Sequence, residues 1–85
     1  MLVQERIDQL MKEEYNPEKY HNFSQGISEA FTADREIIEE MLSKSIAEMD
    51  YEKLGRKLFC MAYEYMERFA TNQAMNEYEN GYLKD

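Results

Sequence analysis

Residues 50–70 read DYEKLGRKLFCMAYEYMERFA. Leu54, Leu58, Met61, Ala62, Tyr65 and Phe69 recur there at the three- and four-residue steps that stack side chains on one face of a helix. Asp50 stands in front, where a carboxylate accepts from the free backbone N–H groups of a first turn, so a helix is expected over 51–70. Phe59, Tyr63 and Met66 flank the stripe and widen it to roughly 200°. One packing face does not need so much. The helix either has neighbours on two sides or offers an apolar surface to another molecule.

The preceding stretch, 33–49, places Ile37, Ile38, Met41, Leu42, Ile46 and Met49 on one side and Glu36, Glu39, Glu40 and Ser43 on the other. Thr32 or Asp34 is its expected start. Continued unbroken into 51–70, its apolar face would lie about 150° from the next one. One straight rod would bury opposite sides at its two ends, so a tight turn is expected at Asp50.

Two further stretches lie upstream. Residues 2–14 carry Val3, Ile7, Leu10 and Met11 on one narrow face. Asn16-Pro17-Glu18 resembles a helix start, with a capping side chain, a pre-set φ and an acid at the positive end of the dipole. A helix over 17–30 is expected, with Tyr20, Phe23, Ile27 and Phe31 on one face. Gly26 inside it should cost about 1 kcal/mol against Ala. After Ala70 the phase slips again. Met75, Tyr78 and Tyr82 form a stripe roughly 130° from that of 51–70. Thr71-Asn72 can open a short helix over 72–79, and Asn80-Gly81 can close it. The tail folds home or meets a second chain, and the intermolecular reading is preferred.

The expected fold is a single all-α domain, a small bundle of three to five helices with the long C-terminal helix as spine. Composition agrees. The 85 residues carry 18 acids and 10 bases for a net charge of −8, yet 44% are hydrophobic and 13% aromatic. A disordered acidic tail would lack those aromatics. No run approaches the roughly 18 apolar residues of a membrane span. MLVQERIDQL lacks the features of a leader, so a cytoplasmic location is expected. A lone Cys60 builds no disulfide framework. The net charge has the wrong sign for a direct nucleic-acid binder.

Several patterns resemble chemistry. Glu18-x-x-His21 has the spacing of di-iron carboxylate helices, but one His and a flank position argue for a surface pair. Glu36-x-x-Glu39 and Glu64-x-x-Glu67 resemble the paired acids with which all-helical nucleotide pyrophosphohydrolases hold Mg²⁺. Both pairs sit opposite their helices' apolar stripes, which directs them to solvent. Cys60, with no second Cys, reads as a bystander thiol. Asn22-Phe-Ser24 matches a glycosylation acceptor, which carries meaning only in an exported chain, and a cytoplasmic one is expected. No catalytic residue, cofactor or metal ligand is assigned, and a metal-dependent hydrolase or ferritin-like site is the third-ranked function.

Surface carries the rest. Residues 29–52 hold eight acids against two bases. Asp34, Glu36, Glu39, Glu40 and Glu48 are the candidate partner-binding ridge, suited to a basic groove. Phe59, Tyr63, Met66, Met75, Tyr78 and Tyr82 are the candidate apolar surface for a partner or for self-association. In general type the chain resembles small, acidic, motif-free helical inhibitors from phages and mobile elements, anti-CRISPR proteins among them. That likeness implies a nucleic-acid-mimic surface and a basic nucleic-acid-binding enzyme as partner. The alternative is a structural or regulatory homo-oligomer, with a homodimer expected from the wide apolar helix.

Overall fold

The computed structural model describes residues 1–84. It contains three helices: α1 (Val3–Glu13), α2 (Tyr20–Glu48) and α3 (Tyr51–Glu79). Among the described residues there is no strand, only an isolated bridge between Leu2 and Lys84. Both other helices pack against α3. Its 29 residues make a rod of about 43 Å, which accounts for most of the 50 Å long axis. No helix is long and apolar enough to cross a membrane.

The turn at Asp50 forms as expected. Asp50 Oδ1 accepts from the Lys53 backbone N–H at 3.1 Å. Met49 takes the left-handed conformation, φ 57°, and its N–H returns to the Ile46 carbonyl at 3.1 Å. Two residues thus reverse the chain.

The other expected breaks do not end helices. Stretches 17–30 and 33–49 run together as α2, with Asp34 at φ −135° and ψ 46°. The break signal at Thr32–Asp34 is a bend, and the chain resumes helix on a new axis. Stretches 51–70 and 72–79 are likewise one helix. The phase slip after Ala70 is met by a change of neighbour. Ala70 and Ala74 pack against Leu10 of α1, whereas Ala62 meets Gly26 of α2. A helix with two neighbours on different sides can shift its apolar stripe without breaking.

Pro17 is also placed differently. It is buried in the turn that joins α1 to α2, and helix begins at Tyr20. Asn16 Oδ1 accepts from the Glu18 N–H at 2.9 Å, an Asx turn. Asn22 is the buried clamp of that turn. Its amide donates to the carbonyls of Glu14 at 2.9 Å and Asn16 at 3.0 Å. With both protons committed and the side chain buried, Asn22 is a structural residue rather than a glycan acceptor.

α1 runs antiparallel to α3. Arg6 makes a two-pronged pair with Glu77, Nε to Oε1 at 2.9 Å and Nη2 to Oε2 at 3.2 Å. Tyr15, at the other end, donates its hydroxyl to Gln73 at 2.6 Å and tilts against Phe69. Between these polar ends Val3, Ile7 and Met11 pack around Leu10, Ala70 and Ala74. The Lys84 N–H donates to the Met1 carbonyl at 3.0 Å and ties the two ends of the chain together.

Gly26 is where α2 meets α3 most closely. A Cβ added there would lie 2.7 Å from the Ala62 Cα and 3.0 Å from its carbonyl oxygen, both backbone atoms of α3. The helix-weakening residue is the one the crossing requires. Gly55, exposed on α3 with nothing within 4 Å of an added Cβ, has no such role. Two substitutions therefore have opposite signs. Gly26→Ala is expected to destabilise by about 1–3 kcal/mol through overpacking, despite the better helix propensity of Ala. Gly55→Ala is expected to stabilise by about 0.5–1 kcal/mol. Urea melts of the two variants check both.

Hydrogen bonds from Arg6, and then from Gln73, hold the Glu77 carboxyl below its usual 4.5. A depressed folded-state pKa contributes stability that is complete above the unfolded value and lost as pH falls through the folded one. Glu77→Gln is expected to lower the melting temperature at pH 7. The difference from wild type should shrink below pH 4.5 and vanish once Glu77 is protonated, as a pH series of thermal melts will show.

Candidate partner-binding surface

Past the bend at Asp34, α2 has α3 as its only helical neighbour, since α1 lies against the other end of α3. Its buried stripe is correspondingly narrow. Ile38 and Ser45 are buried, and Met41 and Leu42 half-buried beside them. Ile37, Ile46 and Met49, expected in the core, stay exposed, Ile37 at 66%. One neighbour covers only part of an apolar face that wide.

Asp34, Glu36, Glu39, Glu40 and Glu48 are all exposed. Asp34 occupies the bend. Glu36, Glu39 and Glu40 follow at helical spacing on the side away from Ile38, one turn of acid with Ser43 beyond it. Arg35 partly offsets them. Its Nε lies 2.8 Å from Glu39 Oε1, an exposed i,i+4 pair that raises the arginine's pKa and contributes little to folding. Glu36 and Glu40 form no ion pair with described residues.

The candidate apolar residues separate. Met66 is fully buried and belongs to the core, which corrects its assignment to a partner surface. It lies beside the Gly26–Ala62 crossing, one turn along α3 from Ala62. Phe59 and Tyr63 are about 40% exposed and border a shallow groove with Cys60, Glu64 and Glu67. Met75 is exposed on α3, Tyr78 half-buried, and Tyr82 is 77% exposed after the α3 terminus. The tail neither turns at Thr71-Asn72 nor covers all three residues.

The remaining motifs do not assemble. Glu18 lies in the turn before α2, so Glu18 and His21 do not share one helix face as the di-iron spacing requires. Glu36, Glu39, Glu64 and Glu67 are all exposed. Among the described residues no three His, Cys, Asp or Glu side chains gather where they could hold a metal ion.

A basic wall escaped the reading of the sequence. Lys53, Arg56 and Lys57 share one face at the start of α3 and border an open groove with Ile37 and Met41 of α2 and Cys60 and Met61 of α3. The signal was present as three bases within five residues, but a count of net charge over 29–52 ends just before it. Compared with protein-family models, curated proteins and solved structures, the chain matches none.

Proposed function

We propose that this chain is a non-catalytic protein-binding module, an inhibitor that occupies the basic groove of a nucleic-acid enzyme in the cytoplasm. The ridge Asp34, Glu36, Glu39, Glu40 and Glu48 stands in for phosphates, with α3 as the spine that carries it. The observation behind this reading is that all five acids are exposed, with Glu36, Glu39 and Glu40 together on the side of α2 away from Ile38. Folding does not need those charges, and a charged face this one-sided steers a basic partner and fixes its orientation. The reversal at Asp50 supports the reading further by presenting the ridge on a hairpin of two long helices.

The test is a pull-down with the purified chain, resolved by mass spectrometry and challenged with duplex DNA. A basic nucleic-acid-binding protein should be retained, displaced by the DNA and released as salt rises. Glu36→Lys plus Glu39→Lys should abolish that capture while changing stability by no more than about 0.5 kcal/mol per site, as is usual for exposed positions. Equal capture by the double variant, or capture that DNA does not compete, overturns the proposal.

A further inference from the structure

The groove between α2 and α3 has a basic wall on α3, and the flank of α2 beside it carries acids. On α3 stand Lys53, Arg56 and Lys57. On α2, Glu40, Lys44 and Glu48 follow Ile37 and Met41 at helical spacing along the same side, two acids against one base. The floor between the walls is apolar, formed by Ile37, Met41 and Met61, and the groove encloses about 420 Å³ of open space. Of the three bases only Arg56 has an acidic partner among the described residues, a loose 3.7 Å contact to Glu52.

The chain also exposes more surface than its mass warrants. A compact 10.2 kDa monomer exposes about 5,300 Å² by the usual scaling. This one exposes 6126 Å². The excess of about 800 Å² equals what each partner buries in a standard interface. The radius of gyration, 15.3 Å against about 12 Å for a compact chain of this length, locates the cause in the long hairpin.

We infer that a second copy of this chain covers the groove, in a two-fold dimer whose axis runs along the hairpin. That axis keeps every residue at its own height and lays α2 of each copy over α3 of the other. The apolar floors then meet. Glu40 comes to the level of the partner's Lys57, and Glu48 to that of the partner's Lys53. A two-fold interface must be complementary to itself, and an apolar strip between one acidic and one basic wall satisfies that condition. A copy of the chain brings the acidic wall that Lys53, Arg56 and Lys57 lack. Glu40 and Glu48 are shared with the ridge, whereas Glu36 and Glu39 lie outside the pairing and Lys53 and Lys57 outside the ridge, so a variant of either of those two pairs probes one reading without the other.

Sedimentation equilibrium of the purified chain at low salt should give about twice the 10.2 kDa monomer mass. Lys53→Glu plus Lys57→Glu turns both walls acidic, and Glu40→Lys plus Glu48→Lys turns both basic. Each double variant alone should associate at least about tenfold more weakly, through like-charge repulsion. Mixed in equal amounts the two should dimerise again, because in the mixed pair each wall meets its opposite. Restoration shows both variants folded and shows that the association runs through these two walls. If either variant loses its helical circular dichroism, Ile37→Gln replaces it, a change at an exposed side chain expected to weaken the dimer similarly. A wild-type monomer up to sub-millimolar concentration, a mixture of helical variants that stays monomeric, or an Ile37→Gln protein of unchanged mass overturns the inference.

Discussion

At Gly26 and Ala62 the backbones of α2 and α3 touch with no room for one further methyl group. The rest of the molecule is built around that contact. α3 buries mostly alanine: Ala62, Ala70 and Ala74, with Met66 as the one large side chain. Small residues let α2 and α1 both lie close to it, at the cost of core volume. Leu10 and Met66 are the only large side chains buried below 2% among the described residues. Close helix approach here accompanies a core of small side chains, with larger ones such as Ile7, Met11 and Tyr15 packed partly buried around it.

The arrangement divides the hairpin into two unlike halves. Toward the α3 C-terminus, α1 supplies a third layer, clasped by Arg6–Glu77 at one end and Tyr15–Gln73 at the other. Toward the Asp50 turn there are two helices and no third. That open half holds the acidic face of α2, the basic start of α3 and the exposed Ile37 between them. Structure and proposed function therefore occupy opposite ends. The clasps to α1 lie at one end, and the surfaces proposed to meet other molecules lie near the turn.

Charge follows the same division. The chain is strongly acidic as a whole, yet three of its ten bases stand at 53–57, next in sequence to the acids of 36–48. A net charge far from zero favours solubility and discourages indiscriminate association. Local opposition of sign across one groove permits association in one register. Both properties coexist because the Debye length at cellular salt is only about 8 Å, so neighbouring walls respond to each other more than to the whole.

The sequence alone determined the helical content, the narrow Val3–Ile7–Leu10 stripe of α1 and the reversal at Asp50, where two apolar phases clash beside a capping carboxylate. It also located the acidic face of α2, because exposure opposite a single buried stripe follows from the 100° step. It marked Asp34 as a helix start and Ala70 as a point of changed phase, but the tertiary structure decided that one is a bend and the other no break. Likewise the burial of Met66, the exposure of Ile37 and the need for glycine at position 26 were settled by neighbours. Asn22 could not be read as a clamp until the turn it closes was in place. Periodicity reports which sides of a helix are apolar. How many of those sides are covered, and how near the covering backbone comes, depends on segments distant in the chain, and local pattern carries no record of them.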